Sequence, residues 1–289
     1  MKSLSISRHA IMTATALLIA LLSICQMSAA TNPLSGPRGL ALDGKGNLYV
    51  ANQSGNRVLV FSPTYALIKT ITAGVSTPTG VAVDGKGNIY VTNEGNNTVT
   101  QYSAAGVQNE GGTIRDGIEV PESIAIDGID NVYVVNDYQN VTIYPGNDYP
   151  AAEFVEGALV GTFTPSQGPV FGIATHGQFF AWGSTTQVET QYIDAMLGSG
   201  AATPFGANAD EALALAFDQN GNLYIVNANQ TVFRFSFANN TTEVTFATLD
   251  FTAAGIAVDN ARSRVYISNQ NGNAIAVYST SGALLTTIQ

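Results

Sequence analysis

A short pattern of hydrophobic and polar positions recurs six times along this chain. Each copy begins with a run of the type Gly-apolar-Ala-apolar-Asp, and a tight turn then leads to a strand of the type Asn-Leu-Tyr-Val-Ala. The six opening runs end at positions 43, 84, 127, 176, 218 and 259, so successive copies lie 41, 43, 49, 42 and 41 residues apart. A period of about 40 to 50 residues with several short strands per copy is typical of propeller blades. The sequence therefore predicts an all-β fold, a six-bladed β-propeller of four-stranded antiparallel blades.

The turns and strands within each copy support this interpretation. The segments 43–47 and 84–88 both read Asp-Gly-Lys-Gly-Asn, and Gly and Asn supply the positive φ angles that hairpins need. The strands are apolar on both faces, as expected when each blade packs between two others. Both the first and the last copies include a fourth strand, at 67–71 and 284–288. We therefore expect the ring to close by packing of the first blade against the sixth.

The repeat boundaries give approximate blades at 37–72, 78–115, 121–156, 169–205, 212–249 and 253–289. The fourth copy departs from the pattern. His176 replaces the turn Asp, the hairpin is shortened, and Trp182 enters the second strand. Insertions in loops often carry function, but drift in a blade that its neighbours hold in place is the favoured explanation of these changes.

The first thirty residues have the features of a secretory signal peptide. Lys2 and Arg8 precede an apolar run over 10–24, and small residues follow at 28–30. We expect residues 1–30 to be removed, which leaves a propeller over 31–289 that is secreted, periplasmic or on the cell surface, with no remaining membrane span. Cys25 is the only cysteine and lies in this segment, where lipidation is an alternative to simple cleavage.

Composition excludes several partners. The chain has 11 basic and 21 acidic residues, a net charge of −10, and the predicted signal contains two of the basic residues, so the remaining charge is 9 − 21 = −12. Nucleic acid and anionic lipid require clustered Lys and Arg, which the chain lacks. Only one histidine, His176, follows the predicted signal, which argues against a zinc site built from several imidazoles.

The repeat resembles that of the NHL-repeat family of six-bladed β-propellers. The matching features are Pro-x-Gly-apolar-Ala-apolar-Asp openings, Gly-Asn-apolar-Tyr-Val strands and Asn-x-x-x-Asn turns, found at 37–43, 78–84, 52–56, 93–97, 136–140 and 269–273. The family includes protein-binding modules, and similar propellers include metal-dependent lactonases and a streptogramin-type lyase. The lactonases resemble gluconolactonase and hold a divalent ion partly through a Glu before the first Gly-Pro. Ser35 stands at that position here, which argues against the same metal site.

Aligning the copies places two rings of residues at one mouth of the central channel. The loop before each first strand gives Arg38, Thr79, Glu122, Phe171, Leu213 and Ala254, and the end of each second strand gives Asn52, Asn93, Asn136, Gly183, Asn227 and Asn269. We predict a ligand-binding site on one side of this mouth, at Arg38, Glu94, Glu122, Asp137, Asn93 and Asn136. Carboxylate and amide oxygens suit calcium or a cationic ligand. The alternative is that the Asn residues cap turns and the acids are solvated.

These observations predict an exported propeller that binds a protein, glycan or small molecule without catalysis and without a cofactor, apart from a possible calcium ion at the mouth. The alternative is a metal-assisted lyase or hydrolase with its site at the channel mouth. A structural domain whose channel is plugged by calcium is a third possibility. Fold alone does not decide between them.

Overall fold

The computed structural model describes residues 32–145, 161–164, 168–177, 179–185, 187–192, 203–208, 211–236 and 244–289. The predicted signal peptide and Cys25 lie outside these ranges. Residues Leu34–Gln289 form one compact unit. Within the described ranges, no helix has the length and apolar character needed to cross a membrane.

Six four-stranded sheets confirm the predicted propeller, and each sheet is built from four consecutive strands. Blade 1 contains β1 (Pro37–Leu42), β2 (Leu48–Asn52), β3 (Arg57–Phe61) and β4 (Leu67–Ile71). Blade 2 contains β5 (Pro78–Val83), β6 (Ile89–Asn93), β7 (Thr98–Tyr102) and β8 (Gln108–Ile114). Blade 3 contains β9 (Pro121–Ile126), β10 (Val132–Asn136), β11 (Asn140–Tyr144) and β12 (Gly161–Phe163).

The second half of the ring repeats this order. Blade 4 contains β13 (Ile173–His176), β14 (Phe179–Gly183), β15 (Gln187–Tyr192) and β16 (Thr203–Asn208). Blade 5 contains β17 (Ala212–Phe217), β18 (Asn222–Asn227), β19 (Thr231–Ser236) and β20 (Val244–Thr248). Blade 6 contains β21 (Ala253–Asp259), β22 (Arg264–Asn269), β23 (Ala274–Ser279) and β24 (Leu284–Ile288). The only helices in the described ranges are two 3-10 turns, Gln53–Gly55 and Glu94–Asn96.

Two blade boundaries differ from those expected. The outer strand of blade 3 is β12, which lies beyond the expected end at 156, and β16 continues past the expected end of blade 4 at 205. Outer strands face solvent, as the mostly exposed strand β24 shows, and they lack the regular apolar pattern that marks the inner three. The repeat therefore locates the inner strands better than the outer ones.

Buried side chains from neighbouring blades form a separate hydrophobic cluster at each of the six blade junctions. The junction of blades 6 and 1 follows the same rule, with Leu40 and Val50 packing against Ala257 and Tyr266. In the described ranges, no sheet combines strands from the two ends of the chain. Packing of the first blade against the last therefore closes the ring, as expected.

The repeated Asp anchors the hairpin between the first two strands of a blade. Asp84 Oδ1 accepts hydrogen bonds from the backbone N–H groups of Lys86 and Asn88, at 2.9 and 2.7 Å. Its Oδ2 accepts from Asn88 Nδ2 at 2.8 Å and from the Tyr90 hydroxyl at 3.4 Å. The equivalent acids in blades 1, 3 and 5 accept the same backbone and Asn bonds. The acid of the motif is thus part of the scaffold.

The repeated Gly has a different role, because it lies where inner strands of neighbouring blades approach each other. A Cβ atom on Gly39 would lie 2.7 Å from Gly80 Cα, and one on Gly172 would lie 2.8 Å from Ala214 Cα. Cβ atoms of real proteins essentially never lie this close to another heavy atom. The motif therefore requires glycine at these positions for the close packing that draws the inner strands around a narrow channel.

Candidate active site

A β-bulge at the start of the inner strand positions the first ring of residues. In blade 3, Pro121 pairs with Asn136 and Ser123 pairs with Val135, which leaves Glu122 as the extra residue. The inner strands of blades 1, 2, 5 and 6 show a register shift at the same place. A bulge re-aims the side chain of its extra residue. Here it directs the ring residues toward the mouth of the channel.

All six residues of the predicted first ring line one cavity of about 280 Å³. The ring is asymmetric, with polar or charged side chains on blades 1 to 3 and apolar side chains on blades 4 to 6. Two positions further along the inner strands is an aliphatic layer, in which each side chain is at most 8% exposed: Leu40, Val81, Ile124, Ile173, Leu215 and Ile256. The cavity is therefore a cup with an aliphatic floor and a mouth that is polar on one side.

An ion pair crosses the polar side of this mouth. Arg38 Nη2 lies 3.0 Å from Glu122 Oε2, and the Glu122 side chain is only 6% exposed while that of Arg38 is 23% exposed. The two atoms are close, but their geometry is not that of a hydrogen bond, because Glu122 Oε2 has no hydrogen-bond partner in the described residues. The Tyr138 hydroxyl lies beside both the carboxyl group of Glu122 and the guanidinium of Arg38 and interacts with each. These three groups form the chemical centre of the cavity.

Burial raises the pKa of Glu122 above its ordinary value of about 4.5. The Arg38 charge and the polar contact with the Tyr138 hydroxyl oppose this shift, and the nearby Glu94 charge adds to it. Burial also raises the pKa of Tyr138, assisted by its contact with Glu122. A carboxyl group whose pKa is moved toward neutrality is suited to accept and return a proton during a reaction.

Two of the predicted acids lie near the centre without entering it. Glu94 is half-buried at the rim, where its Oε2 accepts a hydrogen bond from Gln53 Nε2 at 3.1 Å. Gln53 Oε1 in turn accepts from Gln270 Nε2 at 2.8 Å, which links the rims of blades 6, 1 and 2. Asp137 is exposed, and its Oδ2 accepts a hydrogen bond from Gln139 Nε2 at 2.6 Å. Of the predicted site residues, only Arg38 and Glu122 line the cavity.

The two predicted Asn residues belong to the scaffold. Asn93 is fully buried, and its Oδ1 accepts a hydrogen bond from the Ser76 N–H at 3.0 Å while its Nδ2 donates to Val91 O at 3.1 Å. Asn136 repeats this arrangement with Glu119 and Val134. Both amides hold the loop that enters the blade, as the turn-capping alternative proposed.

Tyr138 is a site residue that sequence reasoning missed. It follows Asp137 in the Asn-x-x-x-Asn turn of blade 3, and both residues have positive φ angles, 44° and 56°. The matching turns of blades 1 and 2 form 3-10 turns. Tyr138 instead turns over the cavity, where its ring lies 5.4 Å from that of Phe171. An aromatic residue in a turn that is otherwise Gln, Ser, Gly, Glu and Asn is the one signal in the sequence that marked it.

The donor set at the mouth does not fit a divalent cation. No group of three or more His, Cys, Asp or Glu side chains comes together anywhere in the described part of the chain. The one acid inside the cavity, Glu122, already faces the Arg38 guanidinium, which a cation would have to displace. The possible calcium ion stays a prediction that this arrangement does not favour, and no chemical step is assigned to a metal.

Comparison with known proteins supports the architecture. Residues 76–102 match the NHL repeat. Together with the six blades, this match supports the predicted NHL-repeat family of β-propellers. No curated protein sequence matches the chain.

Three similar solved structures are enzymes. A gluconolactonase, XC5397 from Xanthomonas campestris, is 14% identical with a TM-score of 0.63, over 83% of this chain and 84% of its own. A streptogramin B lyase is 13% identical with a TM-score of 0.63, over 90% and 84%. The virginiamycin B lyase from Staphylococcus aureus is 11% identical with a TM-score of 0.62, over 87% and 83%. At these identities the similarity shows the fold alone.

The prediction of a binding module without catalysis is wrong in the light of these comparisons. The similar propellers are a lactonase and two lyases, which favours the alternative of an enzyme with its site at the channel mouth. The error has a physical origin. Missing histidines and the absent Glu at position 35 argue against a particular metal site, but they do not argue against acid–base chemistry by a buried carboxyl group.

Proposed function

We propose that this propeller is an enzyme of the lyase or hydrolase type, and that Glu122 transfers the proton in the central cavity. The observation that carries the proposal is a buried carboxyl group with a raised pKa, placed against one guanidinium and one phenol at the mouth of a cup. The proposed substrate is a small molecule with a lactone or ester group, by analogy with the similar propellers. Export of the chain remains part of the proposal.

The geometry suggests how the three groups divide the work. The Glu122 carboxylate accepts a proton from the substrate or from an attacking water, while negative charge develops on the substrate carbonyl oxygen. Arg38 and Tyr138 donate hydrogen bonds to that oxygen, and such donors are most effective in a site that excludes water. As Glu122 becomes neutral, its attraction for Arg38 weakens, so the guanidinium charge becomes available to the substrate. Glu122 then returns its proton to the leaving oxygen.

Turnover by metal-stripped protein tests the proposal. Gluconolactone and virginiamycin B are incubated with the wild type, with Glu122→Gln and with a matched control, Glu110→Gln, whose side chain is exposed on β8. Mass spectrometry of the products distinguishes the two reactions. Hydrolysis adds the mass of one water, whereas elimination opens a cyclic substrate without changing its mass. Turnover that is lost in Glu122→Gln and retained in Glu110→Gln supports the proposal. Equal turnover in both variants contradicts it.

A further inference from the structure

We propose that the cavity binds small amphipathic monocarboxylates, with the carboxylate on Arg38, the apolar tail in the aliphatic cup and a proton taken up by Glu122. This inference rests on the proposed function, because it concerns the same site. Beyond the proposed function, it specifies the chemical class of ligand that fits both the polar and the apolar side of the mouth.

The apolar half of the mouth favours a ligand with an apolar tail. Phe171, Leu213 and Ala254 line the cavity from blades 4, 5 and 6, and all three are only partly buried. Beneath them, the aliphatic layer closes the floor with side chains that are almost fully buried. An apolar group of a ligand that covers these partly exposed side chains removes apolar surface from water, which favours binding. A ligand that enters the cup therefore needs an apolar tail.

The positive charge at the mouth favours an anionic ligand. Arg38 is the one Lys or Arg among the residues that line this cavity, in a chain of net charge −10. Its side chain is 23% exposed, so the guanidinium can reach a ligand, and a guanidinium fork matches a carboxylate. Thr79 also lines the mouth, but its hydroxyl donates to Pro121 O at 2.6 Å. Arg38 is thus the group on which an anion can be held.

The charge balance around Arg38 favours protonation of Glu122 when an anion binds. The charged and titratable groups that face Glu122 are Arg38, Tyr138 and, at the rim, Glu94. A carboxylate bound to Arg38 would lie beside Glu122, so that two negative charges would share one guanidinium. Two adjacent carboxylates do not both stay ionised. The Glu122 side chain is only 6% exposed, and its Oε2 has no well-formed hydrogen bond within the described residues to lose. It therefore takes one proton from solvent while the ligand remains an anion.

Isothermal titration calorimetry with four probes tests the ligand class. Phenylacetate is compared with acetate, which lacks the tail, with phenylacetamide, which lacks the charge, and with benzylamine, which reverses it. We expect phenylacetate to bind at least about tenfold more tightly than the other three. Titration at pH 7 in two buffers of different ionisation enthalpy should show uptake of a proton on binding. Equal affinity for phenylacetate and phenylacetamide would overturn the inference.

Three variants make the test specific. Arg38→Gln should weaken phenylacetate binding by about tenfold or more, whereas Arg115→Gln, which removes an exposed positive charge, should not. Glu122→Gln imitates the protonated carboxyl group, so it should bind phenylacetate more tightly than the wild type at pH 8 and without proton uptake. Circular dichroism melting confirms that each variant is folded. Unchanged affinity in folded Arg38→Gln, or weaker affinity in folded Glu122→Gln, would contradict the inference.

The outcome is distinguishable from failure of the proposed function. If carboxylates do not bind but turnover depends on Glu122, this inference is wrong and the proposed function stands. If carboxylates bind as expected and no substrate is turned over, the enzyme proposal is wrong and the binding inference stands.

Discussion

Arg38 and Glu122 form an ion pair between two blades that are not neighbours. Arg38 belongs to blade 1 and Glu122 to blade 3, yet Arg38 Nη2 and Glu122 Oε2 lie 3.0 Å apart at the cavity that both residues line. The contact is possible because the bulge at the start of each inner strand directs a side chain over the channel mouth. The pair therefore belongs to the cavity and to no single blade junction.

Removing the charge of Glu122 should change how stability depends on pH. The folded state raises the pKa of Glu122, so between its ordinary value of about 4.5 and the folded value the folded protein holds more of this proton than the unfolded protein. The contribution of Glu122 to the free energy of unfolding is thus present at low pH and is lost as the pH rises through that window. Glu122→Gln lacks this loss, so its stability should rise relative to the wild type over the same window.

Urea denaturation from pH 4 to pH 8 measures this difference. Glu110→Gln is the control, because its exposed side chain should give a difference that does not vary with pH. If the stability of the wild type instead increases relative to that of Glu122→Gln as the pH rises, the pKa of Glu122 is lowered in the folded protein.

The turn acid should be important for stability and not for chemistry. Asp84→Asn places an amide where the carboxylate accepts from two backbone N–H groups, from Asn88 Nδ2 and from the Tyr90 hydroxyl. We expect a loss of about 1 to 3 kcal/mol in the free energy of unfolding. Asp116→Asn removes the same charge from an exposed side chain and should cost less than about 0.5 kcal/mol. Equal losses for both variants would show that the turn network contributes little.

The inner-strand glycine should resist substitution by alanine. Gly39→Ala would place a Cβ atom 2.7 Å from Gly80 Cα and 2.9 Å from Thr79 O, which are backbone atoms that cannot move aside alone. We expect a loss of about 1 to 3 kcal/mol, measured by urea denaturation. Gly44→Ala is the matched control, since nothing lies within 4 Å of its added methyl group. A control as destabilised as Gly39→Ala would mean that general backbone effects, and not blade packing, explain the loss.

Metal removal should leave the fold unchanged. No three acidic or imidazole side chains gather in the described ranges, and Glu122 faces Arg38. The melting temperature of chelator-treated protein should therefore not rise when calcium, magnesium, zinc or manganese is added. A saturable rise with one ion would reveal a site that binds only the folded state, and it would return the metal-assisted alternative to first place.

Much of this structure could be predicted from the sequence, because the residues that form the scaffold of each blade recur in the repeat. The turn acid and the inner-strand glycine recur for local reasons, and alignment of the copies identified all six ring residues. The contacts between segments that are distant in the chain have no comparable repeated pattern. Tyr138 reaches the cavity only because the turn of blade 3 departs from the 3-10 turns of blades 1 and 2. The burial of Asn93 likewise depends on the loop from Ser76 folding over it.

Proton transfer by Glu122 is tested most directly by the pH dependence of kcat/KM in metal-stripped protein, for wild type and Glu122→Gln, on whichever substrate is turned over. Wild-type kcat/KM should rise with pH through an ionisation above the ordinary range of a glutamate, and this rise should be absent from the residual activity of Glu122→Gln. An ionisation that survives in Glu122→Gln, or activity that returns only with an added metal ion, would contradict the role assigned to this carboxyl group.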